Sequence, residues 1–177
     1  MKKREGMEKY QIIYADPPWR YRENLNWKEK GIKRTEDFFP TMTDIQLRAL
    51  KLPAEKDSWI FLWATATKLP ECIELLGLWG FDYRTCGVWD KGNGLGYFFR
   101  LYHEILLIGK KGNPKKPLFS EKSIFTEKRR AYSQKPECVR KWIETAFPDL
   151  TKIELFARQK TEGWDVWGNE VESDIEL

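Results

Sequence analysis

The run Ala15-Asp16-Pro17-Pro18-Trp19 gathers unusual chemistry in a short space. It follows the apolar Ile12-Ile13-Tyr14 and precedes a polar, aromatic-rich stretch, so it reads as a buried strand ending in a loop. Asp16 can accept hydrogen bonds at the strand terminus. Pro17 and Pro18 fix φ and lack N–H donors, which leaves their carbonyls as acceptors. Trp19 offers a flat indole face for stacking, or packs inward and leaves stacking to Tyr21 or Trp27. Such a corner suits a planar group that carries an amino donor, such as a nucleobase. A second polar strand end lies far along the chain, where Lys152-Ile153-Glu154-Leu155-Phe156 runs into Ala157-Arg158. Ligands of α/β sheets bind beyond the carboxyl ends of strands. If the two strands are neighbours, Asp16 and Arg158 line one cleft, and residues 154–158 with Asn169 and Glu170 hold a second, polar ligand.

The elements that must position these residues follow from hydrophobic periodicity. Residues 10–15 and 58–64 are apolar runs, the latter fitting a central parallel strand buried on both faces. Thr43 caps a helix over 44–51. Residues 69–79 form an amphipathic helix with Cys72, Ile73, Leu75, Leu76 and Trp79 as its apolar set, ended by Gly80. Strands at 81–90 and 102–109 flank a glycine-rich turn. That turn lacks Walker spacing and reads as a mobile loop rather than a phosphate cradle. A short strand at 123–126, a helix with Pro136 in its first turn running to 147, a strand at 152–156 and a short edge strand within 163–170 complete the chain. Alternating strands and helices without repeats predict one α/β domain over 1–177, mainly parallel, with helices on both faces and frayed ends at 1–9 and 171–177. Trp59, Trp63, Trp79 and Trp89 are expected in the core, and His103 as a structural strand residue.

Composition narrows the class. The chain is 41% hydrophobic and 33% charged, as in a globular protein, and no apolar run reaches the length of a membrane span. The charged N-terminus has no apolar h-region, so a cytoplasmic location is expected. Cys72, Cys86 and Cys138 are far apart, with neither metal-ligand spacing nor a disulfide framework, and a single histidine excludes a histidine-cluster metal site. Residues 110–141 hold eleven Lys/Arg against three Glu, while 162–177 hold six acids and no base. The basic run is a solvated face or a nucleic-acid surface; Phe119, Phe125 and Tyr132 within it favour the second.

With these residues in view, the chain resembles the DPPW-type adenine amino-methyltransferases: the messenger-RNA adenine methyltransferase catalytic-subunit family and its bacterial and phage DNA-methylating relatives. The resemblance spans residues 10–170. Its pieces stand in order: Asp16-Pro17-Pro18-Trp19, Phe39-Pro40-Thr41-Met42, Phe61-Leu62-Trp63, Trp79-Gly80-Phe81, Trp89-Asp90-Lys91, His103-Glu104, Lys135-Pro136, Glu154-Leu155-Phe156-Ala157-Arg158 and Gly168-Asn169-Glu170. It implies a Rossmann-like S-adenosylmethionine-dependent fold in permuted order, with the catalytic strand ahead of the cofactor strand. It implies methyl transfer to the N6 amino group of adenine, in DNA ahead of RNA, by a monomer or homodimer in a bacterial or phage-infected cell. A non-catalytic, nucleic-acid-binding partner subunit is the alternative. Asp16, Pro17, Pro18 and Trp19 would then be catalytic. Lys135, Glu154, Phe156, Arg158, Asn169 and Glu170 would contact the cofactor. Tyr21, Trp27, Lys91, Lys110, Lys111, Lys115, Lys116, Arg129 and Arg130 would contact nucleic acid, with the loops at 20–40 and 91–101 as clamps.

Overall fold

The computed structural model describes residues 9–21, 40–94, 96, 98–130 and 134–177. Its elements are β1 (Tyr10–Ala15), α1 (Asp44–Ala49), β2 (Ala54–Ala64), α2 (Leu69–Leu78), β3 (Asp82–Asp90), β4 (His103–Lys111), β5 (Ile124–Thr126), α3 (Glu137–Ala146), β6 (Lys152–Leu155) and β7 (Asp165–Trp167). One sheet contains all seven strands in the order β5-β3-β4-β2-β1-β6-β7. β4 runs antiparallel to both of its neighbours, and every other pair is parallel. The expected α/β architecture is present, with β1 ahead of β6 in sequence and beside it in space. β2 is central, but it is parallel only to β1, because the β3–β4 hairpin reverses the strand on its other side.

The sheet separates two cores by strand alternation. Ile13 and Ala15 of β1 join Ile60 and Leu62 of β2 against Leu47 of α1 and Leu75 and Leu76 of α2. Ile12 and Tyr14 join Phe61 and Trp63 against Val139 and Ile143 of α3. The helices therefore cover both faces. Among the expected core tryptophans, Trp63, Trp79 and Trp89 are buried and Trp59 is partly buried against the α3 core. Ile73 of α2 was expected inside and is instead exposed, because it lies off the Cys72, Leu75 and Leu76 face.

Local chemistry sets the element ends. Thr43 and Gln46 form a reciprocal capping box at α1. α2 ends at Trp79 and is followed by Gly80 at φ 81°, a conformation glycine adopts at no steric cost. Pro136 is the N-cap of α3 rather than part of its first turn. Since proline has no capping side chain, the Glu127 carboxylate accepts from the Glu137 and Cys138 amides instead (2.8 and 3.1 Å). The acidic tail is not frayed. The Asp174 N–H donates to the Val166 carbonyl, the Asp174 carboxylate accepts from the Val166 N–H, and Ile175 is buried in the α1–α2 core. No helix among the described residues is long and apolar enough to cross a membrane.

On the α3 face, Arg140 Nη2 donates to Glu154 Oε2 (2.7 Å), and both side chains are largely buried. Its guanidinium also lies 6.0 Å from the centre of the Tyr14 ring. Burial pushes the Glu154 carboxyl up, and Arg140 opposes that rise. Removing only Arg140 strands a buried carboxylate. Arg140→Met should therefore lose about 3–5 kcal/mol of unfolding free energy near neutral pH. Glu154 would then carry a still higher pKa folded than unfolded, so its penalty falls as acid protonates it. Urea unfolding at about pH 7.5 and about pH 5.5 should show the deficit shrinking at the lower pH; an equal deficit would assign the loss to packing.

Candidate active site

All strands but β4 point the same way, so their carboxyl ends share one rim with the start of β4. Each segment at that rim contributes to one cleft of about 250 Å³: Asp16 to Trp19 after β1, Thr65 after β2, Lys91 after β3, Arg129 after β5, Phe156 to Arg158 after β6 and Gly168 to Glu170 after β7. Glu104 enters from the start of β4, and Lys135 from the segment before α3. A second chamber, also about 250 Å³, shares Asp16, Lys135, Arg158 and Glu170 with the first and adds Arg130, Gln134, Arg140 and Gln159. Pro17, Pro18, Tyr21 and Phe156 give the first apolar surface beside its charged groups, and Tyr14 and Pro136 do the same in the second.

A chain of ion pairs runs through the wall. Lys135 Nζ lies 2.7 Å from Asp16 Oδ2 and 3.2 Å from Glu104 Oε2, and Lys91 Nζ lies 2.9 Å from Glu104 Oε1. The Lys135 ammonium also stands 5.7 Å from the Trp63 ring centre. Burial alone would lower the Lys135 pKa, but the two carboxylates hold it above its ordinary value. Burial would raise Glu104, yet its two ammonium partners keep it below the usual range. At Asp16 burial wins: the carboxyl is pushed up, with Lys135 opposing. Its side chain remains 32% exposed, so it faces the cleft as a hydrogen-bond acceptor.

The backbone after β1 is tightly tied. The Pro17 carbonyl accepts from the Trp19 N–H (2.8 Å) and the Pro18 carbonyl from the Met42 N–H (2.8 Å). A carbonyl has two lone pairs, so each retains a second acceptor position. Tyr21 lines the cleft, its hydroxyl sharing a hydrogen bond with Thr65 Oγ1 (3.0 Å) and pushed up to about 12 by burial. On the opposite wall, Phe156 holds φ at 61° and packs edge-on against Trp167 (centroids 5.4 Å). Arg158 Nε pairs with Glu170 Oε1 (3.0 Å). This cleft can orient an amino group against a carboxylate beside an aromatic wall, with cations and a carboxylate at hand for a second ligand.

The family model for MT-A70 matches residues 10–170. The chain belongs to the MT-A70 family. It is 34% identical over 190 residues to the type II methyltransferase M.MunI of a Mycoplasma species, covering 96% of this chain and 82% of that one. It is 30% identical to the N(6)-adenosine-methyltransferase subunit METTL3 of Danio rerio and 29% identical to the METTL3 catalytic subunit of Homo sapiens. Those matches cover 93% of this chain but only 28% of each relative, so the chain spans about a quarter of their length. The chain is a methyltransferase.

The MT-A70 residues named from the sequence divide into those the cleft gathers and those it does not. Asp16, Pro17, Pro18, Trp19, Tyr21, Lys91, Arg129, Lys135, Phe156, Arg158, Asn169 and Glu170 line it, and Arg130 lines the polar chamber. Of the two placements open to Trp19, it takes the inward one. It is 5% exposed, packed in the α1–α2 core under the Lys68 ammonium, and its Nε1 is buried without a partner among the described residues. Glu154 lines neither chamber, because its register opposite Tyr14 aims it at Arg140 on the α3 face. Lys110 and Lys111 stand five and six residues beyond Ile105 along β4, roughly 17–20 Å from the rim. Lys115 follows them to that far end, where its carbonyl accepts from Trp59 Nε1 and its ammonium faces Asp149 (3.5 Å), and Lys116 is next to it. Trp27 and Tyr132, with most of the 20–40 loop, lie outside the described residues. Sequence reasoning gave no role to Glu104 or Arg140. For Glu104 the signal was present: a single acid opening the otherwise apolar Ile105-Leu106-Leu107-Ile108 strand.

Lys135→Met removes the charge that opposes the effect of burial on Asp16. The Asp16 pKa, already above the ordinary value of about 3.9, should rise further. A carboxyl-carbon NMR titration of both proteins reads this directly; an unchanged midpoint would mean that Lys135 does not control Asp16.

Proposed function

We propose that this chain methylates the N6 amino group of adenine in DNA, with S-adenosylmethionine as the methyl donor. The carrying observation is the Asp16 carboxylate, held by Lys135 through one oxygen and facing a cleft walled by Pro17, Tyr21, Phe156 and Trp167. An adenine amino group is a poor nucleophile because its lone pair is delocalised into the ring. Asp16 Oδ1 accepts one amino hydrogen, and the second lone pair of the Pro17 carbonyl accepts the other. These bonds favour a pyramidal nitrogen with its lone pair aimed along one line, so the chain contributes mainly orientation and electrostatics. As the nitrogen gains a methyl it becomes acidic, and Asp16, with its raised pKa, is suited to receive the proton. Tyr21 offers the base a ring that the Thr65 hydrogen bond holds in place.

The donor group, when bound, supplies a methyl made electrophilic by a sulfonium. The side chains beside Asp16 fit it chemically. Arg158 and Lys135 suit its carboxylate, Asn169 and Glu170 its ribose hydroxyls, and Phe156 the edge of its adenine. DNA is favoured over RNA because the relative matched over most of both chains is a type II methyltransferase, whereas the adenosine methyltransferases match over a quarter of their length. Arg129 and Arg130 at the two chambers supply cations for a phosphate backbone.

Labelled S-adenosylmethionine, incubated separately with DNA and RNA and followed by nucleoside digestion, should yield N6-methyladenine from DNA. Asp16→Ala should reduce the rate at least about a hundredfold. Label in RNA alone would reverse the substrate assignment, and label in neither polymer would remove the activity. Calorimetry gives an independent reading of the donor site. Arg158→Ala should weaken S-adenosylmethionine binding by roughly ten- to a hundredfold, the usual size of a lost charged hydrogen bond.

A further inference from the structure

The hairpin between β3 and β4 rises from the rim, and apart from Lys91 and Glu104 none of its described residues lines the cleft. Its neck belongs to the cleft: the Lys91 ammonium pairs with Glu104, and the Lys91 N–H donates to the Tyr102 carbonyl (2.8 Å). Beyond the neck the two arms nearly touch. A β-carbon on Gly94 would collide with the Leu101 carbonyl, and one on Gly96 with the Phe99 carbonyl. These glycines let the arms approach this closely. Arg129 Nη1 donates to Asn93 Oδ1 (2.8 Å) and braces the near arm against the segment after β5. Near the tip Phe98 and Phe99 stand edge to face, with ring centroids 4.8 Å apart and exposures of 85% and 74%. The exposed Arg100 adjoins them, and exposed Lys128, Arg129 and Arg130 lie on the braced segment.

Two phenylalanine rings held in water are costly unless something covers them. They belong to a hairpin whose neck, Lys91 with Glu104, lines a cleft read as an adenine site; Arg100 adjoins them in the chain and Arg129 braces the same hairpin. A polyanion with an apolar gap between stacked planes matches both features. We propose that Phe98 and Phe99 form a wedge that enters the base stack of duplex DNA and fills the gap left when the target adenine turns into the cleft. This rests on the adenine-methylation reading of the cleft. Turning out a paired base costs a few kcal/mol of stacking and pairing, and inserted apolar side chains replace part of that stacking.

The double variant Phe98→Ala/Phe99→Ala tests this, since both side chains are exposed and contribute nothing to the two cores. Three substrates are compared: a duplex with a paired target adenine, the same duplex with an abasic site opposite that adenine, and the single strand. The variant should lose about ten- to a hundredfold in kcat/KM on the paired duplex and little on the other two. A readout independent of methylation uses 2-aminopurine at the target position of the paired duplex: binding should raise its fluorescence with the unaltered protein and much less with the variant. Unaltered duplex kcat/KM, or an equal loss on all three substrates, overturns the wedge while leaving adenine methylation in place. So does a dimer in light scattering that the double variant converts to monomer, which would make the rings a contact between copies. Failure of the unaltered protein to methylate any of the three overturns the underlying reading as well.

Discussion

The Lys135 ammonium, held between Asp16 and Glu104, is the interaction on which the site's architecture turns. A buried charge is tolerated only when it is paired and hydrogen-bonded. Satisfying this one requires three places in the chain to meet: the end of β1, the start of β4 and the segment before α3. The Lys91–Glu104 pair adds a fourth, the end of β3. The direction of β4 makes that convergence possible. In a fully parallel sheet the first residues of β4 would lie at the far edge. Reversed by the hairpin from β3, β4 instead delivers Glu104 to the rim where the other strands end.

The same ion chain lies between the two chambers of the site. Asp16, Lys135, Arg158 and Glu170 border both chambers. On one side Pro17, Pro18, Tyr21 and Phe156 offer apolar surface to a planar group lying against Asp16. On the other, Arg130, Arg140, Gln134 and Gln159 keep the wall cationic and hydrogen-bonding. A carboxylate at such a boundary feels opposing influences: burial raises its pKa and the neighbouring ammonium lowers it. Lys135 thus sets how strongly Asp16 accepts a hydrogen, whatever else it contacts.

Much of this was legible in the sequence because local signals agreed with the global arrangement. The apolar runs, the Thr43 cap, Gly80 and the polar strand ends at Asp16 and Arg158 all had local causes, and the elements formed where those causes predicted. What was missed depended on register and strand direction, which composition does not encode. The family resemblance places Glu154 with Arg158 at the cofactor, but Glu154 stands four residues before Arg158, opposite Tyr14, and faces α3 and its Arg140. Lys110, Lys111, Lys115 and Lys116 belong to the same basic run as Arg129 and Arg130. Only the path of β4 shows that the run crosses the whole sheet, so that its two halves serve opposite ends. For Trp19 the sequence leaves open stacking or inward packing, and its pairing with Met42 decides for the second by turning the indole into the α1–α2 core.

The tail extends the dependence on strand direction to the last wall of the cleft. β7 is a three-residue edge strand, paired on one side only by β6, and it carries Gly168, Asn169 and Glu170 at its end. An edge this short holds few ladder bonds of its own. The acidic tail supplies the rest: Asp174 brackets Val166 from both sides of its peptide group, and Ser173 Oγ both accepts from the Gly168 N–H (3.1 Å) and donates to its carbonyl (3.3 Å). Gly168 also packs so closely on Ala157 that a β-carbon would collide with the Ala157 backbone. The β6 and β7 ends are thereby fixed against each other, which sets where Arg158 and Glu170 can meet. The negative charge of the tail has a local use in this arrangement, since its carboxylate anchors a sheet edge and, through Lys160, the turn that precedes it.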